Sequence, residues 1–195
     1  MPGINKNIIG QAPVGYAFPT GTDPVMLDIC LAYIAGEPLG IRAKNHEPVP
    51  SFWGVDKEGN PTEDAAELMR GVKYPIGEHK GFGLAILEEL LTGVFSGGAI
   101  LDDKDDGPSR YTETTHTAIA IRTDALMPES EYLKRSDELV ERLRAQDEKV
   151  HIPGDSAWSH IRNAEEKGYT ELDPETVEAF NRYARKYGTK EFPLS

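Results

Sequence analysis

Cysteine is almost missing from this chain: Cys30 is the single one among 195 residues. One thiol closes no internal disulfide and excludes Cys-based zinc sites, and a chain so poor in thiols fits a reducing compartment. Long apolar runs are missing too. No stretch of about 18 consecutive apolar residues occurs, so no membrane span is expected. The opening Met1-Pro2-Gly3-Ile4-Asn5-Lys6 lacks the cationic and then apolar regions of a signal peptide. Basic charge is in the minority, with 21 Lys and Arg against 33 Asp and Glu, a net charge of −12. Nucleic acid and anionic membranes both demand clustered Lys and Arg, so neither is expected as a partner. The expectation is an acidic protein of the cytoplasm.

Several catalytic signatures are absent as well. The histidines are His46, His79, His116, His151 and His160; none forms H-x-x-x-H or H-E-x-x-H, so no metal site is expected. There is no G-x-S-x-G, no Walker A sequence and no G-x-G-x-x-G, which leaves a nucleophile elbow, a P-loop and a standard Rossmann fingerprint unsupported.

What is present reads as mixed strands and helices, an α/β or α+β chain with 38% hydrophobic residues, enough for a core. Val14–Phe18 alternates with period two and reads as a strand ending at the turn-rich 19–24. Val25, Met26, Leu27, Asp28, Ile29, Cys30 and Leu31 read as a strand buried on both faces. Residues 36–50, with Gly36, Pro38, Gly40, Pro48 and Pro50, read as mostly loop, and 56–61 as a turn. Gly83–Phe95 reads as the core helix, with Leu84, Leu87, Leu91 and Val94 on one stripe and Gly97-Gly98 ending it. Residues 102–108 read as a solvated loop, and 115–122 as a strand with Ile119 and Ile121 on one face. Residues 129–146 read as a surface helix with the pairs Glu131–Arg135 and Glu138–Arg142. A last helix is bounded by Asp173, Pro174 and Gly188, with Val177, Phe180, Ala184 and Tyr187 as its stripe.

Three segments suggest chemistry. Tyr74-Pro75-Ile76-Gly77-Glu78-His79-Lys80-Gly81-Phe82-Gly83 runs into the core helix, where unbonded N–H groups, close-approaching glycines and the Lys80 ammonium suit the phosphates of a nucleotide. The same glycines equally suit a tight turn and close helix packing, and Glu78 would repel phosphate. Asp28 interrupts an apolar run; a carboxylate buried there either orients a ligand or pairs within the fold. At 151–156, Asp155 or Ser156 is a natural N-cap, or a helix start offered to a ligand.

Taken in order, these segments resemble a known family. Pro19-Thr20-Gly21, Leu27-Asp28, Asp56-x-x-Gly59-Asn60-Pro61-Thr62-x-Asp64, Pro75-Ile76-Gly77-x-His79-Lys80-Gly81-Phe82-Gly83-Leu84, Gly97-Gly98 and Ile152-Pro153-Gly154 are similar to the malate/L-lactate dehydrogenases of the second, non-Rossmann type, which include sulfolactate, ureidoglycolate and diketogulonate dehydrogenases and imino-acid reductases. The resemblance implies an α/β fold with a mixed sheet flanked by helices, a helical C-terminal tail, and a homodimer as the usual assembly. It implies hydride transfer between NAD or NADP and a 2-keto, 2-hydroxy or 2-imino acid.

By the same resemblance the cofactor lies along Val25, Met26, Leu27, Asp28, Ile29, Cys30 and Leu31, with further contacts at His79, Lys80 and Gly81 and at Gly154, Asp155 and Ser156. Residues 1–160 would form the dinucleotide-binding domain and 161–195 a tail packing on the rest of the family's fold, with Val177, Phe180 and Tyr187 as an exposed apolar stripe in the isolated chain. The family's catalytic histidine and carboxylate-gripping arginine belong to a part preceding the matched region. No residue here is assigned a catalytic role: either a partner chain carries that half, or the chain is a truncated remnant. The alternative is a non-catalytic cofactor-binding module. Three positions depart from the family: Gly10-Gln11-Ala12-Pro13 replaces Gly-Thr-Asn-Pro, Ala65 stands for a common proline, and Glu78 for a common glycine.

Overall fold

The computed structural model describes residue 6 and residues 8–103 and 114–193. Two strands open it. β1 (Val14–Phe18) pairs antiparallel with β2 (Val25–Ile29), with Val14 opposite Ile29 and Phe18 opposite Val25. The Thr20 hydroxyl locks the turn between them, accepting from the Thr22 amide at 3.0 Å and donating to the Asp23 carbonyl at 2.9 Å. The expected mixed sheet is present among the described residues as two small antiparallel sheets, the second pairing β3 (Gly54–Val55) with β4 (Val72–Lys73).

The core does not lie where the apolar helix pattern put it. Ile34, Leu39, Val49, Ala65 and Leu68 form the buried cluster, with Ala43 and Trp53 against it. These belong to α1 (Gly36–Lys44), α2 (Ala65–Arg70), the chain between them and, for Ile34, the approach to α1. Residues 36–44, expected as loop, are helical because Pro38 falls in the first turn, where its missing N–H has no intrahelical partner to lose. Burying Leu39 completely then outweighs the low propensity of Gly36 and Gly40.

The motif from Asp56 to Asp64 proves structural. Asp56 accepts from the Asn60 amide at 2.8 Å and closes the expected turn around Gly59, whose φ is +90°. Asp64 caps α2, accepting from the Ala66 and Glu67 amides at 2.7 and 3.0 Å. Ala65, at the first helical position, is buried.

α3 (His79–Glu88) starts four residues before the expected helix and continues as a π turn over Glu89–Val94. Phe95 donates to Leu90 and Gly98 to Gly93, the wide i→i−5 spacing of a π turn. Leu84, Leu87, Leu91 and Val94, expected in the core, are exposed on it because no element among the described residues covers that face. Residues 115–122 likewise form no strand ladder. The loop expected at 102–108 falls mostly outside the described residues.

The remaining helices follow their sequence signals. α4 (Glu129–Arg144) carries the Glu138–Arg142 pair at 3.6 Å, while Glu131 and Arg135 are not paired. Asp137 on it accepts from the Gly21 amide at 2.8 Å, tying it to the β1–β2 turn. α5 (Asp155–Lys167) runs across the boundary expected at residue 160. α6 (Pro174–Tyr187) is capped by Asp173, which accepts from the Thr176 amide at 2.9 Å, and closed by Gly188 in the left-handed region. Its Phe180 and Tyr187 are exposed, whereas Val177 is half-buried and Ala184 buried. Asn181 is buried through paired hydrogen bonds with the backbone of Phe192 as the chain end folds back. No helix among the described residues is long and apolar enough to cross a membrane.

Candidate functional site

β2, which carries Asp28, joins the other two segments singled out in the sequence. At its start the Met26 amide donates to the Pro153 carbonyl at 2.9 Å, and Trp158 Nε1 donates to the Pro24 carbonyl at 2.9 Å. Just past its end, the Ile76 amide donates to the Leu31 carbonyl at 2.9 Å, and Ala32 bridges Pro75. The loop before α3 and the turn before α5 are thereby fixed to opposite ends of one strand.

β2 itself is half-buried rather than buried on both faces, with β1 as its single ladder partner among the described residues. Asp28, expected to be buried, is exposed opposite Gly15 and makes no hydrogen bond or ion pair among the described residues. A solvated carboxylate needs no internal partner, which removes the buried-acid argument. Leu31 is fully buried, and Cys30 Sγ lies 3.3 Å from the Ala32 carbonyl.

The start of α3 differs from an open amide cradle. The amides of Lys80, Gly81 and Phe82 donate to the Gly77, Ile76 and Glu78 carbonyls. Among the described residues, Gly77 and His79 are left as the unbonded amides of this turn. The amides from Gly83 onward lie inside the helix. Gly81 is buried, and a Cβ there would overlap the Ile76 carbonyl oxygen, so its glycine serves close packing. His79 and Lys80 are exposed, and the Lys80 ammonium has no acidic partner among the described residues.

Glu78 sits at φ +52°, ψ −108° as the N-cap of α3, with no side-chain cap bond. That region strains any residue with a Cβ. The family's glycine fits it without strain. Ala12, standing where the family has asparagine, also has positive φ, +42°; asparagine tolerates that conformation better than alanine.

At the other end, the N-cap of α5 is Gly154 at φ +105°, not Asp155 or Ser156. A Cβ on Gly154 would stand 3.1 Å from the Met26 nitrogen. Asp155 instead bonds backward: Oδ2 accepts from the Ile152 amide at 2.9 Å and Oδ1 from Arg144 Nη2 at 2.7 Å. Burial pushes its carboxyl up, but the Ile152 amide and the Arg144 guanidinium more than offset this and hold it below the usual carboxylate range. Ser156 Oγ lies 3.0 Å from His151 Nε2.

These groups line a cleft of about 450 Å³ that also takes in His160, Arg162 and Asp23. Arg162 is paired with Asp23, as Arg144 is with Asp155. The cleft is therefore charge-balanced and rich in hydroxyl, imidazole and carboxylate groups, the chemistry that holds sugar hydroxyls. Sequence reasoning missed Arg144, His151 and Arg162 here. Ser156–His160 and Asp155–Ser159–Arg162 share one helix face at three- and four-residue spacing, a signal that could have found the last of them.

The model of the malate/L-lactate dehydrogenase family matches residues 1–181. The chain belongs to that family. Malate/(S)-sulfolactate dehydrogenase of Methanothermus fervidus is 30% identical over 181 residues, 91% of this chain and 52% of that protein. (2R)-3-sulfolactate dehydrogenase (NADP(+)) of Chromohalobacter salexigens is 29% identical over 190 residues, 93% of this chain and 54% of that one. The solved sulfolactate dehydrogenase from Methanocaldococcus jannaschii shares the fold at a TM-score of 0.73 with 24% identity, covering 91% of this chain and 53% of that chain. The chain thus spans about half the length of the relatives it matches.

Proposed function

We propose that this chain is the dinucleotide-holding part of an NAD(P)-dependent oxidoreductase that interconverts a 2-hydroxy acid and a 2-keto acid. One observation carries the reading: in a member of this family, two segments far apart in sequence, the loop before α3 and the turn before α5, are fixed to the two ends of β2. Residues 1–160 form the binding unit, and the chain beyond is a tail for docking. Val25–Leu31 line the length of the dinucleotide. Lys80, with the free amides of Gly77 and His79, neutralises and orients the diphosphate; Gly81 shapes that turn. Gly154 lets the backbone come close, and Asp155 and Ser156 receive ribose hydroxyls. The bound nicotinamide supplies or accepts the hydride. Proton transfer and the grip on the substrate carboxylate come from a partner chain that carries the family's other half, and the whole assembles as a homo- or hetero-oligomer.

Titrating the chain with NADH and NADPH while following nicotinamide fluorescence tests this. Saturable binding of at least one is expected, weakened about tenfold by Lys80→Ala through loss of a charged contact. No saturation with either overturns the reading.

Glu78 favours a second reading, a cofactor-binding module that no longer supports turnover, because it adds strain and a negative charge two residues from Lys80. Keto-acid reduction by the purified chain alone would eliminate it.

A further inference from the structure

The cleft between the β1–β2 turn, the end of α4 and the start of α5 holds two arginines and two aspartates. Each arginine is paired within it. Arg144 Nη2 donates to Asp155 Oδ1 at 2.7 Å, and Arg162 Nη1 donates to Asp23 Oδ2 at 2.5 Å. Among the described residues no lysine lines the cleft, so it offers no uncommitted ammonium or guanidinium. Both carboxylates are held in position. The Thr20 hydroxyl donates to the Asp23 carbonyl, and the Gly21 amide ties the same turn to Asp137. Asp155 takes the Ile152 amide on its other oxygen at 2.9 Å, and its carboxyl, below the usual range, is ionised at neutral pH. Arg144, Arg162 and Asp23 are about half exposed, so these pairs add little to stability; they set the charge of the cleft.

That charge discriminates between two ligands. A ribose diol presents O–H donors, and a carboxylate accepts about four hydrogen bonds. Asp155, with one bond on each oxygen, still has room for them. A ribose 2′-phosphate instead brings about −1.5 to −2 charges. It meets two carboxylates, and gains an arginine only by taking it from its aspartate. The abandoned carboxylate would then stand unpaired beside a phosphate, a penalty set against one ligand alone. Lys80 gives no relief, because it serves the diphosphate from the loop at the other end of β2. Openness to solvent suits the adenosine end of a dinucleotide, since the nicotinamide reacts where water is excluded. Family membership leaves the choice of coenzyme open: the C. salexigens relative is named for NADP(+), the M. fervidus relative for neither.

We propose that this cleft takes the adenosine ribose and that the Asp23–Arg162 and Asp155–Arg144 pairs exclude a 2′-phosphate, so that the chain selects NAD over NADP. The inference rests on the proposed function, in which Asp155 and Ser156 receive ribose hydroxyls.

The test titrates the full chain separately with NADH and NADPH and compares their dissociation constants. NADH is expected to bind about tenfold tighter or more. Asp23→Asn keeps the shape of the side chain and releases Arg162, and should raise the ratio of NADPH to NADH affinity about tenfold. Adding Arg162→Ala to it should cancel that gain, which a merely structural role for Asp23 would not do. Circular dichroism checks that both variants fold, and the ratio in the unaltered chain decides even where a variant does not. NADPH binding as tightly as NADH overturns this inference and leaves the dinucleotide site standing. So does a folded Asp23→Asn variant whose ratio stays where it was. Saturation by neither coenzyme overturns the proposed function and this inference together.

Discussion

The Met26 amide donates to the Pro153 carbonyl at 2.9 Å, and Gly154 lies so near that a Cβ on it would stand 3.1 Å from the same nitrogen. One residue without a side chain therefore joins β2 to the start of α5, and its φ of +105° is closed to other residues.

Gly154→Ala forces either the dihedral or the strand contact to yield. The free energy of unfolding is expected to fall by about 1–3 kcal/mol, read from denaturant midpoints, and NADH binding to weaken in parallel. Unchanged stability would mean that the turn relaxes freely and does not fix the site.

Glu78→Gly relieves a strained backbone and removes a charge near Lys80. Stability is expected to rise by about 1 kcal/mol, and dinucleotide binding to tighten. Glu78→Gln separates the two effects, keeping the strain while removing the charge: it should tighten binding without raising stability.

Acid sensitivity follows from five aspartates held below the usual carboxylate range, among them Asp124 through its hydrogen bond with Arg122. The Asn60 amide lowers Asp56, the Glu67 and Ala66 amides lower Asp64, the Thr176 hydroxyl and amide lower Asp173, and in Asp155 the Ile152 amide and Arg144 outweigh the upward push of burial. The unfolded chain binds these protons more readily, so the stabilisation is complete above the unfolded value of about 3.9 and is lost as pH falls below it through the folded values. Urea midpoints should be flat from pH 7 to 5 and drop near pH 4 and below. Asp64→Asn should flatten that drop, and a midpoint rising on acidification would contradict the assignment.

Leu39→Ala and Leu87→Ala separate the observed core from the expected one. Leu39 is fully buried, so its truncation should cost about 2–5 kcal/mol. Leu87 is exposed, and its truncation should change stability by about 0.5 kcal/mol or less. Equal losses would show that the face of α3 is covered within the chain.

Local signals were the legible ones. Asp173, Pro174 and Gly188 bounded α6, the Thr20 turn separated β1 from β2, and the alternation of Val14–Phe18 marked its strand, because caps, turns and periodicity act within a few residues. Burial was not legible at Asp28 or along Leu84–Val94. Whether an apolar stripe is covered depends on what packs against it, and no element among the described residues does. The helix at Gly36–Lys44 escaped because Leu39 is buried against α2, a contact invisible in a window holding two glycines and a proline. For the site, Lys80 and Gly154 were readable as residue types with a plain chemical use. The Arg144–Asp155 and Arg162–Asp23 pairs were not, since they join residues that only the folded chain brings together.

The π turn is an ordinary helix carrying one surplus residue, and in it the Leu91 carbonyl accepts from the Thr117 hydroxyl at 3.0 Å while the Thr92 carbonyl accepts from the Ser96 and Thr115 hydroxyls. Deleting a single residue between Glu89 and Val94 would let normal winding resume and draw both oxygens back into the spiral. The helix itself would survive, yet the neighbouring stretch would lose its moorings: a lesion in one element, felt as the drift of another.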